Sequence, residues 1–110
     1  MASVWVAVAA TAICAVFAVV LAMGQAMVAR HRAGGAADLA ALAAADHALR
    51  GQETACGLAG KVAGAQGVRV VRCAVSGEFA EVSAEAREGP YTARARSRAG
   101  PAAAVPGPWP

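Results

Sequence analysis

From Met1 to Ala29 the chain carries no Asp, Glu, Lys or Arg. The stretch from Val4 to Ala29, VWVAVAATAICAVFAVVLAMGQAMVA, is broken only by Thr11, Gly24 and Gln25. A bilayer core is crossed by roughly 20 apolar helical residues, so this run is long enough to span. In lipid every backbone polar group must pair within the segment, which makes the run a helix. Trp5 stands near one end, where an aromatic ring suits the membrane–water interface. A buried core helix fails on size, because too little chain remains to wrap such a length. A cleaved signal peptide competes more closely, since Ala22-Met23-Gly24 is a small-x-small site. Against it, the run is long for the apolar region of a signal peptide and no basic residue precedes it.

Orientation is contested within the sequence. Arg30-His31-Arg32 follows the run directly, and the positive-inside rule alone places that end in the cytoplasm. The cysteines discussed below place it outside. A start upstream of Met1 that adds basic residues would restore the usual bias, and mapping the native N-terminus decides this.

Beyond the run, Leu39, Leu42 and Leu49 recur at helical spacing, which predicts that the helix extends over residues 30–50 and ends at Gly51. Gly34-Gly35 weakens this extension and is expected to kink it where it leaves the membrane. A second helix is predicted from Glu53 to Gln66, closed by Gly67. The period then changes to two. Val68 to Val75 reads as a strand, with a turn at Ser76-Gly77. Phe79 to Arg87 and Tyr91 to Ala99 alternate on either side of Gly89-Pro90. Alternation assigns Val71, Cys73, Val75, Ala80, Val82, Ala84, Ala86, Tyr91, Ala93 and Ala95 to one face. The other face carries Glu81 and Glu85 beside Arg94, Arg96 and Arg98, a charge ladder suited to a three-stranded antiparallel meander. The fold class is therefore α+β. A transmembrane helix over 1–29 extends over 30–50 into a small head over 51–100, and a proline-rich tail expected to be mobile spans 101–110.

Composition matters for the head. Hydrophobic letters make up 58% of the chain, but 33 of its 110 residues are Ala. So small a domain with so many methyl side chains is marginal without help. Cys56 on the second helix and Cys73 on the inner strand face are placed to pin helix to sheet through a disulfide, which persists outside the cytoplasm. The alternative is a pair of unpaired buried thiols in a cytoplasmic domain. Cys14 lies within the apolar run as a packing or lipid-facing residue.

Nothing in the sequence points to a catalytic centre or a cofactor. His31 and His47 are sixteen residues apart, and the cysteines lack metal-binding spacing. Ser3, Ser76, Ser83 and Ser97 belong to no nucleophile motif. Neither GxGxxG nor GxxxxGK[ST] occurs. The net charge of +3 is too mild to imply nucleic acid. Arg94, Arg96 and Arg98 form a possible anion-binding face, against the plainer reading of a solvated strand paired to Glu81 and Glu85.

Four stretches in order carry a family resemblance: ASVWV, VARHRAGGAADLAALAAA, AC…GVRVVRCAV and ARARSRAGPA. They resemble the small TadE-like proteins of actinobacterial helicase/secretion gene neighbourhoods, over nearly the whole chain up to Pro101. The resemblance implies a single-pass, pseudopilin-like protein of the cell envelope, related to minor subunits of Flp-type (Tad) pilus and secretion systems. It implies a head outside the cell membrane and carries a disulfide over to Cys56 and Cys73. It implies that the membrane and other Tad or secretion subunits are the partners, met through the long helix, with no enzymatic activity, small-molecule substrate or cofactor. An Ala-rich helix suits such association, because small side chains let helix backbones approach closely in lipid, and Leu39, Leu42 and Leu49 extend the packing surface beyond the bilayer. Two features depart from the family pattern: no basic leader precedes the run, and Trp5 and Val6 stand near the place of the acidic fifth residue of the prepilin-peptidase signature. The competing readings are a stand-alone bitopic protein binding a ligand or envelope polyanion through its head, a secreted domain released after Gly24, and, more remotely, a cytoplasmic enzyme.

Overall fold

A computed structural model describes residues 1–101. Helix α1 spans Ala2–Asp46, a 3-10 turn spans Ala48–Arg50, and helix α2 spans Gln52–Ala65. Strands β1 (Arg69–Ser76), β2 (Phe79–Glu88) and β3 (Tyr91–Ala99) form an antiparallel sheet in the order β1-β2-β3. The expected α+β architecture is thus present: a long apolar helix, a second helix and a three-stranded meander. The tail expected over 101–110 falls, from residue 102 onward, outside the described residues.

Alanine is the strongest helix former, and its abundance sustains α1 as one helix over 45 residues, uninterrupted at Gly34-Gly35. The helix was expected to reach Arg50 but ends at Asp46. There the bonding tightens to a three-residue step, Arg50 N–H to His47 O at 3.0 Å and Gly51 N–H to Ala48 O at 3.2 Å. Such tightening satisfies carbonyls that a helix end otherwise leaves bare. Leu49 consequently lies on the 3-10 turn rather than on α1. Gly51, at φ +106°, then reverses the chain into α2.

Helix α2 closes with a Schellman arrangement. Val68 N–H donates to Ala63 O and Gly67 N–H to Gly64 O, both at 3.0 Å, with Gly67 at φ +71°. Val68 is buried behind this cap. Both hairpins use two-residue loops whose first residue is a glycine of positive φ, Gly77 and Gly89, the signature of a turn that matches strand twist.

The second half of α1 lies across β2 and β3, and α2 fills the space beside β1. Helical spacing brings Ala33, Ala36, Ala37, Ala40, Ala41 and Ala44 of α1 to the sheet, and Ala55, Ala59 and Ala63 of α2 join them. On β2 every second residue from Ala80 to Ala86 is buried. Val82 is the only fully buried side chain larger than alanine among the described residues. The layers meet almost methyl to methyl, so little apolar area is removed from water per residue.

One face assignment needs correction. A bulge between Val70 and Arg72 leaves Val71 without a partner on β2. The extra residue inverts the alternation, so Val70 opposite Ala84 takes the inner place and Val71 is 36% exposed. Beyond the bulge Cys73 and Val75 point inward as expected.

Candidate functional site

The N-terminal half of α1 is bare. None of residues 1–28 is buried, although their mean hydropathy reaches 2.7 over an 18-residue window. Val8, Ile13, Val16, Phe17, Val20 and Leu21 are each more than half exposed. At 1.5 Å per residue this half projects about 40 Å, more than the bilayer core requires. The described residues measure 73 × 35 × 16 Å, a shaft with a small head on its distal half.

Leu39 and Leu42 continue an exposed apolar strip along the head half of α1, on the side turned away from the buried alanines, at 48% and 54% exposure. Leu49, on the 3-10 turn, is 82% exposed. The structure leaves all three outside the head's own core.

Cys56 and Cys73 form a disulfide with Cα atoms 5.9 Å apart, which ties α2 to β1. Gln52 reinforces the same junction, its Oε1 accepting from Val75 N–H at 3.3 Å. Cys14 is free and exposed on the shaft.

The predicted charge ladder is present, and it engages the arginines that sequence singled out. Arg94 Nε donates to Glu85 at 3.0 Å, and Arg69 reaches the same carboxylate at 3.2 Å. Arg96 lies 3.1 Å from Glu81. Arg98 stacks over the Phe79 ring, 4.8 Å from its centroid. The arginines are largely in water, so these pairs add little to stability. Glu85 is the most enclosed member. The hydrogen bond from Arg94 holds its carboxyl below the ordinary value of 4.5, helped by the charges of Arg69 and Arg94 and opposed by desolvation.

A carboxyl whose pKa is lower folded than unfolded stabilises the fold above its unfolded pKa, and that stability is lost as pH falls through the folded value. The melting temperature of the head therefore falls as pH drops below about 4.5, and Glu85→Gln flattens this dependence. Thermal melts of both proteins between neutral and acidic pH check it; superimposable acid limbs would show that Glu85 contributes nothing.

Sequence reasoning missed the part played by Arg32, which it read only as a membrane-flanking charge. Arg32 reaches sideways from α1 and staples two loops to the shaft. Its Nη1 donates to Glu88 Oε2 at 2.9 Å and approaches Arg87 O at 3.5 Å. Its Nη2 donates to Gln66 O at 3.2 Å and Gly67 O at 3.3 Å, carbonyls at the C-terminal end of α2, where a cation is favoured. The partners lie 34 to 56 residues away in sequence, beyond the reach of any local pattern. His47, expected as a solvated position, is half-buried, with Nδ1 2.9 Å from Ala43 O. Among the described residues no group of three or more His, Cys, Asp or Glu is placed to hold a metal ion.

The geometry defines a class: a single long helix, bare and apolar at its N-terminal end, carrying a small disulfide-tied α+β head. Residues 1–47 match the model of the Flp pilus-assembly TadE/G-like family, which covers the whole of α1. The TadE-like resemblance thus holds over the shaft. No curated protein and no solved structure matches the chain.

Proposed function

We propose that the protein is a non-enzymatic, minor-pilin-like subunit of a Tad/Flp-type pilus assembly or secretion system. The shaft anchors it in the cell membrane, and the head stands on the extracytoplasmic side. One observation carries this reading: the uncharged part of α1, whose most apolar window the head leaves unburied, lies within the residues 1–47 matched by a pilus-assembly family. A soluble monomer would leave that apolar surface in water at great cost, whereas lipid and neighbouring helices cover it. The exposed Leu39 and Leu42 give neighbouring subunits a surface that continues above the membrane. The disulfide supports the outward placement of the head, since such bridges persist in oxidising compartments.

Two measurements on the native protein test the proposal. Pull-down from solubilised membranes is expected to recover other Tad or Flp components; recovering none from an intact extract overturns the assembly role. On intact cells, a membrane-impermeant thiol reagent is expected to label the head only after reductant opens the Cys56–Cys73 bridge. Labelling that always requires cell lysis places the head inside and overturns the orientation.

A further inference from the structure

The ionic groups are not spread evenly over the head. Strand β3 runs beside α1, so that its start, Tyr91, lies at the level of Ala26 and Ala29, and its end, Ala99, at the level of Leu42 and Ala45. The β2–β3 turn touches the shaft at Gln25. Arg32 draws the Gln66-Gly67 loop to the same end. Five arginines gather there, Arg30, Arg32, Arg69, Arg87 and Arg94, against two acids, Glu85 and Glu88. That excess equals the net charge of the whole chain, because the other five basic and five acidic residues cancel.

Within this cluster Arg30 and Arg94 line one cleft of about 240 Å³ together with Tyr91, Thr92, Ala26 and Ala29. Arg30 and Arg87 make no ion pair among the described residues. Arg94 contacts Glu85 through Nε alone, so its two terminal nitrogens stay available. The cleft runs along the start of β3, where Arg30 of α1 and Arg94 of β3 meet beside the hydroxyl-bearing Tyr91 and Thr92; a phosphate accepts several charge-assisted hydrogen bonds from such groups. Ala26 and Ala29 lie on the turn of α1 where the bare part of the shaft ends.

We infer that this end of the head is a seat for the headgroup phosphate of an anionic phospholipid, held by Arg30 and Arg94, with Arg87 adding to the local field. The inference rests on the membrane anchoring proposed above, which brings the cleft to the headgroup layer. It gives the Arg30-His31-Arg32 flank a role in the folded protein independent of the positive-inside rule. Arg32 secures the loops, and Arg30 faces lipid phosphate. Basic side chains close to an anionic surface each add an attraction that salt screens.

The test uses the full-length protein in vesicles of phosphatidylcholine mixed with phosphatidylglycerol, extracted in mild detergent and weighed with its bound lipid by native mass spectrometry. The wild type is expected to retain phosphatidylglycerol in preference to phosphatidylcholine. Arg30→Gln with Arg87→Gln removes two side chains that make no ion pair, and is expected to cut that preference about tenfold. Arg50→Gln with Arg98→Gln, at the far end of the head, is expected to keep it. Equal preference in the wild type and the Arg30/Arg87 variant overturns the seat, as does an equal loss in the far-end variant, which would reveal only overall charge. Displacement of the lipid by added inorganic phosphate overturns the headgroup as ligand in favour of free phosphate. A wild-type chain absent from the vesicles overturns the anchoring itself.

Discussion

Replacing both Cys56 and Cys73 with alanine lowers the stability of the head by about 3 kcal/mol and its melting temperature by about 15 °C. The bridge spans 17 residues of sequence, from the first half of α2 to the middle of β1. Without it, the unfolded chain regains the freedom of that loop, and α2 is held by its alanine stripe and by the long-range contacts of Gln52 and Arg32. In a domain where Val82 is the only fully buried side chain larger than alanine among the described residues, the loss is a sizeable fraction of the total stability. Thermal melts followed by circular dichroism, with and without reductant, check this. Reductant should lower the wild-type transition to that of the double variant and leave the variant unmoved. A wild type indifferent to reductant, melting with the variant, would show that close alanine packing suffices alone.

The parts of this molecule that sequence made legible are those governed by local rules. A charge-free stretch as long as Met1 to Ala29 has few physical solutions, and the shaft follows from it. Gly67, Gly77 and Gly89 stand where positive φ is needed, so the α2 cap and both hairpin turns fell within a residue or two of their predicted places. Alternation fixed the faces of β2 and β3 and put Glu81 and Glu85 on the same side as Arg94, Arg96 and Arg98; the register that sets Glu85 opposite Arg94 came from the structure. What stayed hidden depends on contacts between distant segments. The bulge at Val71 leaves no mark in an unbroken Val-Arg-Val-Val-Arg stretch, yet it exchanges the faces of Val70 and Val71. The end of α1 at Asp46 is likewise invisible, because Ala48-Leu49-Arg50 is as good a helix former as the residues before it. Nor does periodicity separate the alanines that face the sheet from those that do not, since alanine is common on every side of α1. The larger leucines stand out, and the structure leaves them exposed. The staple made by Arg32 joins three elements through the Glu88 carboxylate and through backbone carbonyls 34 to 55 residues away, which no local pattern marks.

Placing two arginines at the centre of the shaft, Val16→Arg with Val20→Arg, removes the protein from the membrane. Each arginine at the middle of a spanning helix costs about 2.5–3.5 kcal/mol on insertion scales, so the pair costs roughly 5–7 kcal/mol. The stretch has no acidic side chain to pair with them and no core of its own to hide them. Wild type should stay with the membrane pellet under alkaline carbonate, and the variant should move to the soluble or degraded fraction. Retention of the variant in the pellet would mean that the shaft does not cross lipid. The companion change Leu39→Arg with Leu42→Arg separates anchoring from assembly. Both leucines lie on the exposed side of α1 above the span, outside the alanine core, so the variant should fold and remain in the membrane. If the strip they form meets neighbouring subunits, pull-down of Tad components falls while membrane residence does not. Loss of both together would assign the leucines to the fold or the anchor. Undiminished recovery of partners would confine subunit contact to the apolar N-terminal half of the helix, where Ala7, Ala15, Ala18 and Ala22 present the small side chains that close helix packing in lipid requires.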